Sequence, residues 1–159
     1  MVFKALLFAY YVLFVLDVHP DYMRHGWQRT RVYDTAREVA FKTNASPRDG
    51  LRLMQIACRE SGFDPKAIGK KGERGRWQVM PPAKSYGADE ALWRMRNQGM
   101  VAFVGCRHAS DVVTIDGFKT TCQQMIDNRI GPADAYFAEH RPPPPDDDVA
   151  EPPTVALQP

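Results

Sequence analysis

Apolar positions recur at helical spacing in four parts of the chain and form an unbroken run in a fifth. The run opens the sequence: in MVFKALLFAYYVLFVLDV, residues Ala5 to Leu16 are apolar on every face. They fall short of the about 20 residues that span a bilayer but fit the apolar region of an export signal. Residues 1–18 are therefore read as an export signal or N-terminal membrane anchor that projects from the domain. The alternative is a buried core helix. Residues 19–31 are polar and mixed, and read as a connector.

The first periodic stretch, Val32–Thr43, puts Val32, Ala36, Val39, Ala40 and Phe41 on one side of a helix. Asn44 to Pro47 interrupts it. Ser46 suits an N-cap, Pro47 the first helical position and Asp49 the positive end of the helix dipole. The second helix then runs through LRLMQIACRES, with Leu53, Ile56 and Ala57 on one face, and stops at Gly62. Further on, Ala88–Cys106 predicts a long helix with weak points at Gly99 and Gly105. Phe118–Ile130 predicts another, ended by Gly131-Pro132, with a short helix over Ala133–Glu139. No useful strand alternation is visible, and any β structure is assigned to Lys70–Val79, where closely spaced glycines predict a loop or irregular hairpin. The fold class is mainly α: a helical bundle over residues 32–140 around the helix that ends near Glu60.

Composition changes this picture at the C-terminus. Residues 141–159 hold seven of the 13 prolines, four acidic residues and one basic one, and predict a disordered Pro/Asp-rich tail. The whole chain of 159 residues carries a net charge of +2, so the body without its tail carries +5. A basic body suits an anionic polymer, cell wall or nucleic acid, and no nucleic-acid recognition motif accompanies it. The three cysteines show no metal spacing, and the four histidines are scattered. Neither a metal nor a cofactor is implied. Cys106 and Cys122 enclose fifteen residues, a loop whose closure in an exported protein contributes about 3 kcal/mol. Cys58 reads as a small core hydrophobe.

The chemistry gathers in Arg59–Pro81, RESGFDPKAIGKKGERGRWQVMP. Glu60 lies in the last turn of a largely buried helix. There the negative end of the dipole and an apolar surround both favour the protonated carboxyl, as a general acid requires. The glycine loop lets backbone approach a ligand closely, while Trp77 and Gln78 offer a stacking face and hydrogen bonds.

Glu60-Ser61-x-Phe63-x-Pro65-x-Ala67 followed by Gly72-x-x-Gly75-x-x-Gln78-x-Met80-Pro81 resembles the signature of the soluble lytic transglycosylase family, within the lysozyme-like superfamily. Both halves are in register. The resemblance implies an α+β lysozyme-like fold and cleavage of the MurNAc-β-1,4-GlcNAc bond of peptidoglycan, leaving 1,6-anhydro-MurNAc ends. It implies Glu60 as the single catalytic acid/base, with Ser61, Trp77, Gln78 and Met80 around the glycan. An exported monomer acting in the periplasm, cell envelope or outside the cell follows from it, with no nucleic-acid partner. Trp77 and Arg76 stand where the family usually has methionine and leucine. The family's Tyr-Asn-Ala-Gly segment, whose tyrosine meets the glutamate, is absent. Asp127–Pro132 echoes it without a tyrosine, and Tyr86 or Tyr136 is left to serve. Two other readings stay open: a goose-type hydrolytic lysozyme, and a non-catalytic glycan-binding or structural relative in a secretion, conjugation or phage assembly.

Overall fold

Val2–Val18 forms the first helix, α1, in a computed structural model that describes residues 1–145. The expected projection of this segment does not hold. Leu7, Tyr10, Tyr11, Phe14 and Val15 are buried in the main core, while Leu6, Leu13 and Leu16 remain exposed. Because the run is apolar all round, its period could not reveal a buried side; packing partners chose it. The Tyr11 ring lies against Gly50, where any Cβ would overlap it. Tyr10 Oη donates to the carbonyl of His140 at 2.9 Å. This integration removes the support that a projecting helix would lend to an export or anchor reading. Among the described residues no helix is long and apolar enough to cross a membrane.

The expected connector is also partly helical. A 3-10 turn covers Pro20–Met23, and the second helix, α2, begins at Gly26 and ends at Lys42. Val32, Ala36, Val39 and Ala40 are buried as their spacing predicts, but Phe41 is exposed. Helix α3 spans Pro47–Ser61, and its boundaries are those the local signals specify. Ser46 accepts a hydrogen bond from the Asp49 amide, and Gly62 ends the helix in the left-handed conformation at φ 60°.

Three later expectations are corrected. The long helix from Ala88 divides into α4 (Ala88–Asn97) and α5 (Gly99–Phe103), because Gly99 adopts φ 78°. Val112–Ile115 (β1) and Phe118–Thr121 (β2) then form an antiparallel hairpin, outside the region to which β structure was assigned. Its turn is Asp116-Gly117, both with positive φ, the pairing that tight hairpins favour. Each strand has only four residues, and β1 is exposed at three of them, so no face alternates and periodicity is silent. Thr121 caps the last helix, α6 (Cys122–Glu139), by a reciprocal bond pair with Gln124. That helix continues through Pro132 instead of stopping there. The proline forfeits one backbone bond, but Ile126, Ile130, Ala133 and Tyr136 bury a continuous stripe across it. Cys106 and Cys122 are joined by a disulfide with a Cα separation of 6.3 Å, tying the segment after α5 to the start of α6. Residues 141–145 have no regular secondary structure; the rest of the proline-rich tail lies outside the described residues.

Packing of α3 on α6 positions the candidate site, and a charged clamp fixes their register. Arg52 donates two hydrogen bonds to Asp134, at 2.8 and 2.9 Å, with Arg48 beside them. Burial pushes the Asp134 carboxyl up, but the two guanidiniums outweigh it and hold it below its ordinary value. A depressed carboxyl stabilises the fold above its unfolded-state pKa, and that contribution is lost as pH falls through the folded value. Asp134→Asn should therefore cost about 1–2 kcal/mol at neutral pH. The difference from wild type should shrink as pH falls below about 4, the ordinary aspartate value, as read by thermal melting at each pH. A constant difference across that range would exclude the clamp as its source.

Candidate active site

Helix α3 delivers Glu60 to its last turn and then the chain reverses abruptly. The Gly62 amide donates to the Cys58 carbonyl at 3.0 Å and the Phe63 amide to that of Ala57 at 3.1 Å. Phe63 is fully buried with φ 64°, a conformation that non-glycine residues adopt only where packing enforces it. Residues 67–79 fold back as the irregular hairpin the glycines predicted. Gly75 donates to the Ala67 carbonyl at 2.9 Å, and Arg74 and Val79 exchange two bonds of 3.0 Å. Glycine is required at position 75 on two counts: its φ is 79°, and a Cβ would stand 2.8 Å from the Tyr86 carbonyl.

This reversal forms one wall of a cleft of about 410 Å³ lined by Glu60, Glu73, Gln78, Met80, Arg94, Gln98, Phe103 and Arg129, among others. Of the residues singled out in the sequence, the cleft thus brings together Glu60, Trp77, Gln78 and Met80. Gln78 has φ 48°, and its amide nitrogen donates to the carbonyls of Gly75 (2.9 Å) and Ala67 (3.2 Å). Its backbone and side chain therefore brace the loop while its carbonyl oxygen stays clear of these bonds. Met80 is 39% exposed at the rim.

Two residues take other roles. Trp77 is 1% exposed and its Nε1 donates to the Leu53 carbonyl at 2.8 Å. Trp77 therefore contributes to the cleft wall, but its ring packs in the core beneath α3 and leaves no open stacking face. The correction has a steric cause: the reversal at residues 75–78 points successive side chains inward and outward, which loop composition does not encode. Ser61 does not line the cleft. Its hydroxyl lies 2.8 Å from the Arg76 carbonyl and 3.1 Å from that of Ala57, and it accepts from the Asp64 amide. It locks the loop to the helix end. Arg76, partly buried beside α2, donates to Glu38 at 2.8 Å, and Glu38 also accepts from the Ala88 amide at the start of α4.

The surroundings of Glu60 differ from the expected apolar pocket. Arg129 of α6 donates from Nε to Glu60 Oε1 at 2.6 Å, across 69 positions of sequence. Both side chains are about a fifth exposed, Glu60 at 22% and Arg129 at 23%. Arg129 is itself steadied by a 3.2 Å bond to the Met125 carbonyl. Neither offered tyrosine lines the cleft. Tyr136 packs against Tyr10, Phe14 and His140, and Tyr86 lies under Arg74. Sequence reading missed Arg129 and Glu73. Arg129 lies in the segment that echoes the family's tyrosine motif, and that position was its only signal. Glu73 sits between Gly72 and Gly75, inside the signature itself. Cys58 is buried and its thiol is pushed up to about 11, chiefly by burial, so it stays protonated and inert at neutral pH.

Comparison with known proteins bears on the same segment. No curated protein and no solved structure matches the chain. One family model does, that of the transglycosylase SLT domain, over residues 39–94. The matched span runs from the end of α2 through Glu60 and the hairpin to α4, which is the cleft wall just described. Residues 39–94 thus match the transglycosylase SLT domain, a domain of the lysozyme-like superfamily.

Proposed function

We propose that this protein is a peptidoglycan lytic transglycosylase with Glu60 as its single acid/base. The observation that carries the reading is the Glu60 carboxylate in the cleft wall, held through one oxygen by Arg129. Oε2 is left for proton transfer. Protonated there, Glu60 gives its proton to the glycosidic oxygen between N-acetylmuramic acid and N-acetylglucosamine as the C1–O bond breaks. The substrate's own N-acetyl carbonyl oxygen bonds to C1 and carries the positive charge. Glu60, now ionised, takes the proton of the muramoyl C6 hydroxyl. O6 then bonds to C1, expels the N-acetyl oxygen and closes the 1,6-anhydro ring. No water is consumed, and Glu60 ends protonated as it began. The mechanism uses neither metal nor cofactor, and the substrate places the protein outside the cytoplasm.

Glu73 supports a second reading. It puts another carboxylate in the wall of the same cleft, as a two-carboxylate hydrolase requires. Mass spectrometry of the digested cell wall separates the two. Anhydro-muramoyl ends are expected; reducing ends, lost on Glu73→Gln, would establish the hydrolase instead.

Arg129 is a positioning residue in this scheme, orienting Glu60 from the helix segment where the family carries its tyrosine. Arg129→Ala should lower kcat about 10- to 100-fold, the scale of a small misplacement, with KM little changed. Arg129→Lys should recover part of the loss. A change confined to KM would assign Arg129 to substrate binding.

A further inference from the structure

Helix α4 carries an exposed tryptophan that the catalytic scheme does not use. Trp93 is 52% exposed, although a tryptophan usually buries most of its large apolar surface. It lines a cavity of about 590 Å³ together with Lys84, Asp89, Arg94 and Gln98. Arg94 and Gln98 also line the Glu60 cleft, so the two depressions share a wall. A third, of about 400 Å³, adjoins the Trp93 cavity through Asp89 and Trp93 and continues towards Thr43 and Asn44. Arg94 is fixed by bonds of 3.1 Å to Glu90 and to the Pro82 carbonyl. The shared wall is thus held in place before any ligand arrives.

From this continuity we propose that α4 carries a distal glycan-binding track, with Trp93 as the platform on which one sugar of the strand stacks. The proposal rests on the reading of the cleft as a glycan site. A pyranose ring presents an apolar C–H face and a rim of hydroxyl and acetamido groups. The exposed indole answers the face, and Lys84, Asp89 and Gln98 answer the rim. Trp93 thereby supplies the stacking surface that Trp77, sealed in the core, does not. A strand threaded from the Glu60 cleft past Gln98 to Trp93 engages the protein at several sugars. Affinity must then rise with chain length.

The test uses the full chain in a Glu60→Gln background, with peptide-free glycan oligosaccharides of two to eight sugars as probes and calorimetry as the readout. Affinity should rise with length in Glu60→Gln. Adding Trp93→Ala should weaken binding of the longest oligosaccharide about tenfold and flatten the length dependence, and Trp93→Phe should restore part of it. Melting of the Trp93→Ala protein, unchanged because the ring is exposed, separates this loss from unfolding. If Glu60→Gln binds long glycans and Trp93→Ala binds them equally, the track is overturned and the cleft reading stands. If no oligosaccharide binds Glu60→Gln at all, the cleft reading itself falls. A wild-type dimer that Trp93→Ala converts to monomer would overturn the track by assigning Trp93 to a second copy of the chain.

Discussion

Glu60→Gln abolishes cell-wall cleavage while leaving the fold and glycan binding nearly intact: that is the expected result of removing one proton from the site. The amide has the size of the carboxyl and keeps an oxygen to accept from Arg129 Nε. It can neither give a proton to the glycosidic oxygen nor take one from C6. General acid–base catalysis contributes 10²- to 10⁴-fold, and here one group performs both transfers, so the loss should be about 10³-fold or more. Turbidity clearing and analysis of released muropeptides measure it, with melting as the control on folding. Asp64→Asn is the matched comparison. Asp64 caps the Lys66 amide at 2.9 Å, pairs with Arg31 at 3.4 Å and does not line the cleft, so its loss should cost little activity. Wild-type rates in Glu60→Gln would remove both the mechanism and the enzymatic reading.

Trp77→Ala should damage stability rather than recognition. The indole is 1% exposed and bonded to the Leu53 carbonyl. Truncating a buried tryptophan costs about 3–5 kcal/mol, and in a domain of this size that lowers the melting temperature by on the order of 10 °C. Trp77→Phe, which keeps much of the volume and forfeits the hydrogen bond, should cost markedly less. Had Trp77 been a stacking platform, alanine there would have weakened glycan binding with melting unchanged. The opposite assignment of Trp77 and Trp93 is thus open to one pair of measurements. Trp77→Ala moves the melting curve, and Trp93→Ala moves the binding isotherm.

Local chemistry made much of the site readable in advance. The helix of Glu60 begins at Ser46-Pro47 and ends at Gly62 because its caps lie within a few residues of what they cap. The hairpin after it was legible because Gly72 and Gly75 occupy left-handed backbone that side chains resist. The SLT signature lies in the same continuous stretch, which is why the family match and the cleft wall coincide. Asp116-Gly117 is a readable turn signal too, but the four-residue, mostly exposed strands beside it show no period.

Residue order thus fixes whatever is settled over one or two turns of chain: α3 and its limits, the left-handed glycines, and Glu60 at a helix end. The tertiary structure alone decided which side of the all-apolar α1 is buried, since every face qualified and only contact with α2, α3 and α6 discriminates. It decided that α6 survives Pro132, because a buried stripe outweighs one missing backbone bond. It turned Trp77 into the core and left Trp93 outside. It also set Arg129 against Glu60. Pairings of this kind join residues dozens of positions apart, and their geometry exists only once the helices have packed; no periodicity, cap or turn rule acts over that distance.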